Sequence, residues 1–425
     1  MLDASANSDA TRIYIVIFSS ASGNLVPSEV ERSDHRAAVT AGFLGWTLDA
    51  FDFFIVVVTL TAIGKDFHVT DADMAKTIAV TLAFRPVGAF IFGMLADRFG
   101  RRIPLMINLV FYSVLEVASG MATSYTMFFW LRALFGIGMG GEWGVGASLV
   151  MEKSPVTHRG IFSGLLQEGY ATGNLLASVA YFFIFPHYGW RPLFFIGGLP
   201  ALLAIFVRMK VKESEVWKRT RHHDFKSLFR AILSQWRLFL YLTLLMALMN
   251  CVSHGTQDMY PTFLQRDWGM SPRMRSALNA FAAVGAIIGG IAFGYLSDRI
   301  GRRKSIVLAL ALAVCMIPLW AFAPSITLLV VGAFLMQFMV QGAWGVIPVH
   351  INELAPDSVR GFIPGFAYQC GVLIAGSVVY IEATLAGHMS YAKAMAATAL
   401  TVCILAAVVV ALGRENHRVA FGAAP

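Results

Sequence analysis

Arg85 stands in "LAFRPVGAF", an otherwise apolar run, and its guanidinium offers two parallel N–H donors that match a carboxylate. Pro86 beside it removes a backbone hydrogen bond, which lets the local helix adjust. The alternative use of Arg85 is structural, as the partner of Glu116, Asp49 or Asp52. Asp49 and Asp52, in "GWTLDAFDFF", are three residues apart and share a helix face. Such a pair exchanges a proton if both turn toward a common cavity, or else neutralises Arg85 or Arg132. A carboxylate that frees an arginine when protonated does both. In "NCVSHGTQDMYPT", Asn250, His254, Gln257 and Asp258 fall at i, i+4, i+7 and i+8, an arc of roughly 100° over about 12 Å of helix axis. Cys251, Val252 and Met259 keep the positions between them apolar, so the four make one polar stripe. Arg132 opens "RALFGIGMGG", whose glycines permit close helix approach, and reads as a gating or coupling element. Glu142 follows in the same segment, and Gln167, Glu168 and Gln369 are further polar candidates. Glu116 is expected to pair structurally and Glu382 to sit at an exposed interface. The set suits recognition of a small organic anion together with a proton. No nucleophile or metal-ligand constellation accompanies it, which argues against an enzyme, and no cofactor is expected.

These side chains need a scaffold, and the composition indicates which kind. Hydrophobic residues make up 57% of the 425 and charged residues 14%, with a mean hydropathy of +0.66, which marks an integral membrane protein. A spanning helix takes about 20 apolar residues. Twelve are expected, near 38–62, 75–96, 103–122, 126–150, 160–184, 191–209, 238–262, 275–297, 304–322, 326–351, 361–384 and 391–412. The fold class is therefore all-α and polytopic. An ionisable residue inside a span costs about 2.5–3.5 kcal/mol on insertion scales, so each is a site candidate. Arg85 precedes Gly93 by about eight residues, or roughly 12 Å of helix, which places it near the midplane. The net charge of +8 is carried mainly on loops of one side, predicting a cell inner membrane protein with both termini cytoplasmic. The partners expected are the lipid bilayer, the anion and the proton, with no nucleic acid and with a monomeric chain. Residues 1–37 read as a cytoplasmic tail in which "IYIVIF" (13–18) is too short to span. The four cysteines lack CxxC spacing and indicate neither disulfides nor zinc.

"GMLADRFGRR" from Gly93 recurs as "GYLSDRIGRR" from Gly294, an offset of 201 residues. The same offset carries Glu152 onto Glu353, Arg159 onto Arg360, and "GEWG" (141–144) onto "GAWG" (342–345), where Glu142 meets Ala343. The chain thus reads as two pseudo-symmetric six-helix halves, 38–209 and 238–412, joined by a basic amphipathic linker, 210–237, and followed by a tail, 413–425. Asn250 falls on Asp49 and Ser253 on Asp52, so the stripe and the acidic pair are expected to face each other across a central cavity. Asp97 and Asp298, beside Arg98, Arg102, Arg299 and Arg303, can pair with Arg159 and Arg360, and with Glu152 and Glu353 form a gate at the basic end. A purely topogenic use of Arg98, Arg101 and Arg102 is the alternative.

The doubled G-x-L-A-D-R-x-G-R-R pattern resembles the major facilitator superfamily, and the resemblance covers nearly all of 38–412. It implies two halves that rock about a central site. N-x-x-S-H-x-T-Q-D-x-x-x-T (250–262) further resembles the span-seven signature of lactate/pyruvate:proton symporters grouped with the sialate:proton symporter family. That resemblance implies uptake of a short monocarboxylate with one proton. Asn250, His254 and Asp258 would shape the site and Arg85 would anchor the carboxylate. On the reading of the residues themselves, the His254/Asp258 or the Asp49/Asp52 cluster is expected to take the proton, with Glu142 and Arg132 as further coupling candidates. Sialate and aromatic-acid carriers are the rivals within transporters, and a non-transporting sensor outside them. A linker of this length leaves no room for the two extra central spans expected of sialate carriers. The D-x-x-D of span one is shared by aromatic-acid carriers, whose resemblance stops short of the span-seven signature.

Overall fold

Five of the long helices begin where a hydroxyl side chain replaces a missing intrahelical acceptor. Thr70, Ser124, Ser271, Ser325 and Ser390 each accept a hydrogen bond from a first-turn backbone N–H. In the computed structural model, which describes residues 29–222 and 224–422, the regular elements among the described residues are all helical. In chain order the helices are α1 (Glu29–Asp66), α2 (Asp71–Phe99), α3 (Arg102–Gly120), α4 (Tyr125–Lys153), α5 (Arg159–Gln167), α6 (Gly169–Tyr188), α7 (Arg191–Ile196) and α8 (Pro200–Lys210). Two linker helices, α9 (Glu215–Thr220) and α10 (Phe225–Ser234), come next. The second half comprises α11 (Trp236–Gln257), α12 (Tyr260–Arg266), α13 (Pro272–Ile300), α14 (Arg302–Ala321), α15 (Ile326–Leu354), α16 (Ile363–Ala375), α17 (Ser377–Ala386) and α18 (Tyr391–Leu412).

Nine stretches among the described residues are long and apolar enough to cross a bilayer. The charged, glycine-rich α4 and the broken pairs α5/α6 and α7/α8 complete the twelve spans. Spans seven and eleven are broken as well, at Asp258–Met259 and at Gly376, where single helices were expected. Span seven breaks where Pro261, lacking an N–H, enters the first turn of α12. Helix α1 begins at Glu29, upstream of the expected boundary at 37, while the 13–18 stretch lies outside the described residues. The linker helices are short and only Val216, Trp217 and Leu228 of them are buried.

Glycines set how closely the helices approach. A Cβ on Gly136 or Gly140 of α4 would lie 2.2 Å from the Thr81 carbonyl oxygen or 1.9 Å from that of Arg85 in α2. Between the halves, Gly164 of α5 meets the Gly290 backbone of α13 in the same way. Bonds and close contacts between the halves run from the basic end, where Gly160 and Gly361 meet Asp298 and Asp97, up to the level of Gly140 and Gln369. Past that level His254 and Asp258 are about two-fifths exposed, so the halves are closed at the basic end and part toward the other.

Candidate functional site

Arg85 is held 4% exposed beneath the junction of the two halves, and its Nε and Nη2 have no hydrogen-bond partner. Its guanidinium carbon lies 5.9 Å from the ring centroid of Tyr368, which comes from the opposite half. Tyr368 in turn packs 4.5 Å from Trp143 and 6.0 Å from Trp344, the tryptophans of the repeated "GEWG" and "GAWG". Gln167 accepts a 3.4 Å hydrogen bond from the Trp143 indole, and Gln369 donates at 3.4 Å to the Gly140 carbonyl across the halves. Tyr170 stacks on Trp46 at 5.4 Å and lies edge-on to Phe54 at 5.2 Å. The aromatic members of this layer were not read from the sequence, although the repeated tryptophan was a signal for two of them.

Asp49 and Asp52 are fully buried, with all four carboxylate oxygens free of hydrogen-bond partners. Arg85, Arg132, Glu116, Asp52 and Glu142 are all close enough for their charges to act on Asp49. Asp52 is different: its carboxylate lies against Gly197 and acts on Glu116, inside the first half. The expected confrontation of both aspartates with the stripe across a cavity is therefore corrected for Asp52. Three-residue spacing put the two on one side of α1, but Asp52 turns toward spans three and six, where it meets Gly197 beside Glu116. Arg132 pairs with Glu116 and lies 3.7 Å from the Phe135 ring centroid, so the structural role expected of Glu116 is the one it has. Glu142 is 1% exposed and lies against Gly45, where a Cβ would be 2.2 Å from its Oε1.

The stripe does not act as a uniform row. His254 Nδ1 and Asp258 Oδ2 are 3.0 Å apart. Gln257 Nε2 donates to Ser253 at 3.2 Å and to Gln337 of span ten at 2.9 Å. Asn250 is 5% exposed and spends its amide on the Met246 carbonyl at 2.7 Å. Glu382, expected to be exposed, is instead 1% exposed and lies within reach of the Asp258 charge, because α17 turns that face inward.

At the basic end the pairing differs from expectation. Asp97 binds Arg101 at 2.6 Å and Asp298 binds Arg302 at 2.7 Å, each within its own half, since Gly100 and Gly301 at φ 101° and 98° fold those arginines back. Arg159 and Arg360 instead approach Glu353 and Glu152 of the opposite half at 3.6 Å. Each glutamate also holds its own half's arginine, Glu152 with Arg101 at 2.9 Å and Glu353 with Arg302 at 2.9 Å. The aspartates cross the divide by accepting backbone N–H bonds, Asp97 from Gly361 and Phe362, Asp298 from Gly160 and Ile161. Arg98, Arg299 and Arg303 lie outside this latch, over the rings of Phe99 and Tyr295 and on the Val410 carbonyl. Arg102 is half-buried, and its backbone N–H binds Glu213 at 3.2 Å. Adjacent arginines in "GRR" look alike in sequence, and only the glycine turn selects the first of each pair.

The tail adds parts the sequence did not reveal. Phe421 lies between the guanidinium groups of Arg159 and Arg360, 3.6 Å from each. Val419 accepts from Arg159 at 2.6 Å, and Arg418 donates to the Asp298 carbonyl at 3.0 Å. Glu213 and Glu415 cap α3 and α14 through the backbone N–H groups of Arg101, Arg102, Arg302 and Arg303.

Residues 42–263 and 258–421 each match the Major Facilitator Superfamily. The "Carboxylic acid transporter protein homolog" of Saccharomyces cerevisiae is 28% identical over 418 residues, covering 89% of this chain and 68% of that protein. The "Sialic acid transporter NanX" of Escherichia coli is 30% identical over 343 residues, covering 79% and 84%. Among solved structures, the proton:xylose symporter XylE bound to 6-bromo-6-deoxy-D-glucose superposes with a TM-score of 0.75 at 17% identity, over 92% of this chain and 98% of that one. With two fused six-helix halves, a doubled basic-end latch and a polar layer between them, the chain belongs to the Major Facilitator Superfamily.

Proposed function

We propose that this chain is a proton-coupled symporter that imports a short monocarboxylate of the lactate or pyruvate class. The observation that carries the reading is Arg85, a buried guanidinium with two N–H donors unspent, set where the halves meet. An organic carboxylate satisfies such a fork with two parallel charge-assisted bonds. Relatives named for carboxylic and sialic acids share that functional group with the proposed substrate. The basic end is taken as cytoplasmic, by the distribution of Lys and Arg, so the parting end faces outward in the inner membrane. Substrate enters past His254 and Asp258 and reaches Arg85 below the aromatic layer. Bound anion and proton together add no net charge, so closure around them avoids burying an uncompensated ion. Release follows when the Arg159–Glu353 and Arg360–Glu152 contacts part.

A second reading, a carrier for a larger organic acid, is favoured by the ring layer of Tyr368, Trp143 and Trp344 beside Arg85. Counterflow of labelled lactate in proteoliposomes tests both, with unlabelled pyruvate, benzoate and sialate as competitors. Exchange of lactate blocked by pyruvate supports the first reading. Exchange only with the larger acids supports the second, and no exchange with any acid overturns both.

A further inference from the structure

Coupling requires a titratable group whose surroundings change when the halves move, because a group buried identically in both states contributes equally to each. The buried acids divide on this criterion. Arg132 pairs with Glu116, Asp49 and Asp52 lie among charges of spans two to four, and Glu142 lies on Gly45. These four acids belong to the first half, and Glu382 with Asp258 belongs to the second. Asp97, Asp298, Glu152 and Glu353 do meet the opposite half, but each is already paired with an arginine.

Glu168 alone among the described buried acids meets the opposite half without an arginine. It is 3% exposed, its Oε1 has no hydrogen-bond partner, and it occupies the break between α5 and α6. Its carboxyl rests on Gly290 of α13, where a Cβ would sit 2.0 Å from Oε1. Gly290 is in turn pressed by Gly345 of α15, so that contact cannot yield while the halves are closed. The adjacent α1 supplies Trp46 and Thr47 at Gly169, and α4 supplies Trp143 at Gln167, none of them charged. Among the described residues Glu168 makes no ion pair, and its Oε1 accepts no hydrogen bond. A lone carboxylate in such a place is costly by several kcal/mol, so this packing accommodates the neutral acid.

We infer that Glu168 is the residue that carries the coupled proton, resting on the symport reading above. With the basic end closed, its carboxylate takes a proton from water on the outer side and is packed neutral against Gly290. When α5 leaves α13, the acid meets cytoplasmic water and returns the proton to it; as the basic end closes again the carboxylate is reprotonated from the outer side, so that each cycle carries one proton inward. Eight residues, or about 12 Å of helix, separate it from Gly160 at the latch, so it lies level with the Gln167 and Trp143 layer.

The repeat supplies a mild test, since the position equivalent to Glu168 in the second half is Gln369 and the fold accepts an amide there. In proteoliposomes, wild-type protein is expected to accumulate labelled lactate about tenfold per pH unit of inward gradient, the equivalent of one proton per anion. Glu168→Gln is expected to keep counterflow and lose that accumulation, with exchange no longer varying with pH. Accumulation by the variant equal to wild type overturns the assignment. Failure of wild type to accumulate lactate at all strikes the symport reading instead. Should the amide variant be unstable, Glu168→Asp, drawn back from Gly290, is expected to stay coupled with a shifted pH midpoint for exchange. An unshifted midpoint counts against Glu168.

Discussion

Gly144 of α4 and Gly365 of α16 meet backbone to backbone across the two halves, so that a Cβ on Gly144 would lie 2.6 Å from the Cα of Gly365. Neither atom is the end of a flexible side chain, so nothing there yields to a larger residue. Gly144→Val is expected to hold the basic end apart and to cost about 1–3 kcal/mol of stability by overpacking. Melting in detergent should show the loss, and thiol labelling of a cysteine placed near Gly160 should become faster.

Arg85→Lys keeps the positive charge and removes the planar fork. If two charge-assisted bonds to substrate depend on that fork, the loss of one raises KM by about tenfold to a hundredfold while leaving the melting temperature near wild type. An unchanged KM with lower stability would assign Arg85 to Asp49 instead.

Glu116→Gln strands Arg132 in a fully buried place. Breaking one side of a buried pair costs about 3–5 kcal/mol, so folded yield should fall sharply. Replacing both residues, as Glu116→Leu with Arg132→Met, should recover most of it. Expression followed by size-exclusion chromatography checks both outcomes.

His417, in the tail beside the latch, is pushed below its ordinary value by burial and then by the Arg302 and Arg418 charges, against the opposing pull of Glu353 and Glu415. A depressed folded-state value means that docking is at full strength above the ordinary histidine range and weakens as pH falls through it. Protection against hydrogen–deuterium exchange over residues 413–422, measured relative to the intrinsic rate at each pH, should therefore fall on acidification. In His417→Asn that dependence should flatten, and Phe421→Ala should exchange fast at every pH.

The spans, the duplication and the superfamily were legible because they are statements about period and composition. Twelve apolar runs and an offset of 201 residues survive any uncertainty about where a side chain points. The deep Arg85 and the His254–Asp258 contact were legible too, since i, i+4 spacing on one helix fixes neighbours. What failed was facing. Asp52 shares a face with Asp49 yet looks into its own bundle, and Glu382 turns inward on a helix segment created by a break at Gly376. The latch partners failed for a related reason, because Gly100 and Gly301 redirect the chain and promote Arg101 and Arg302 over their neighbours. The aromatic layer draws on spans one, four, five, ten and eleven, and no local pattern unites residues so far apart in the chain.

Glu213 and Glu415 hold the same station beneath their respective halves, although the distance between them is one residue longer than the repeat. Each half accordingly ends in its own acidic clasp, placed beyond its sixth span. Severing the intervening stretch is therefore expected to leave two self-fastened bundles able to find each other in the same membrane.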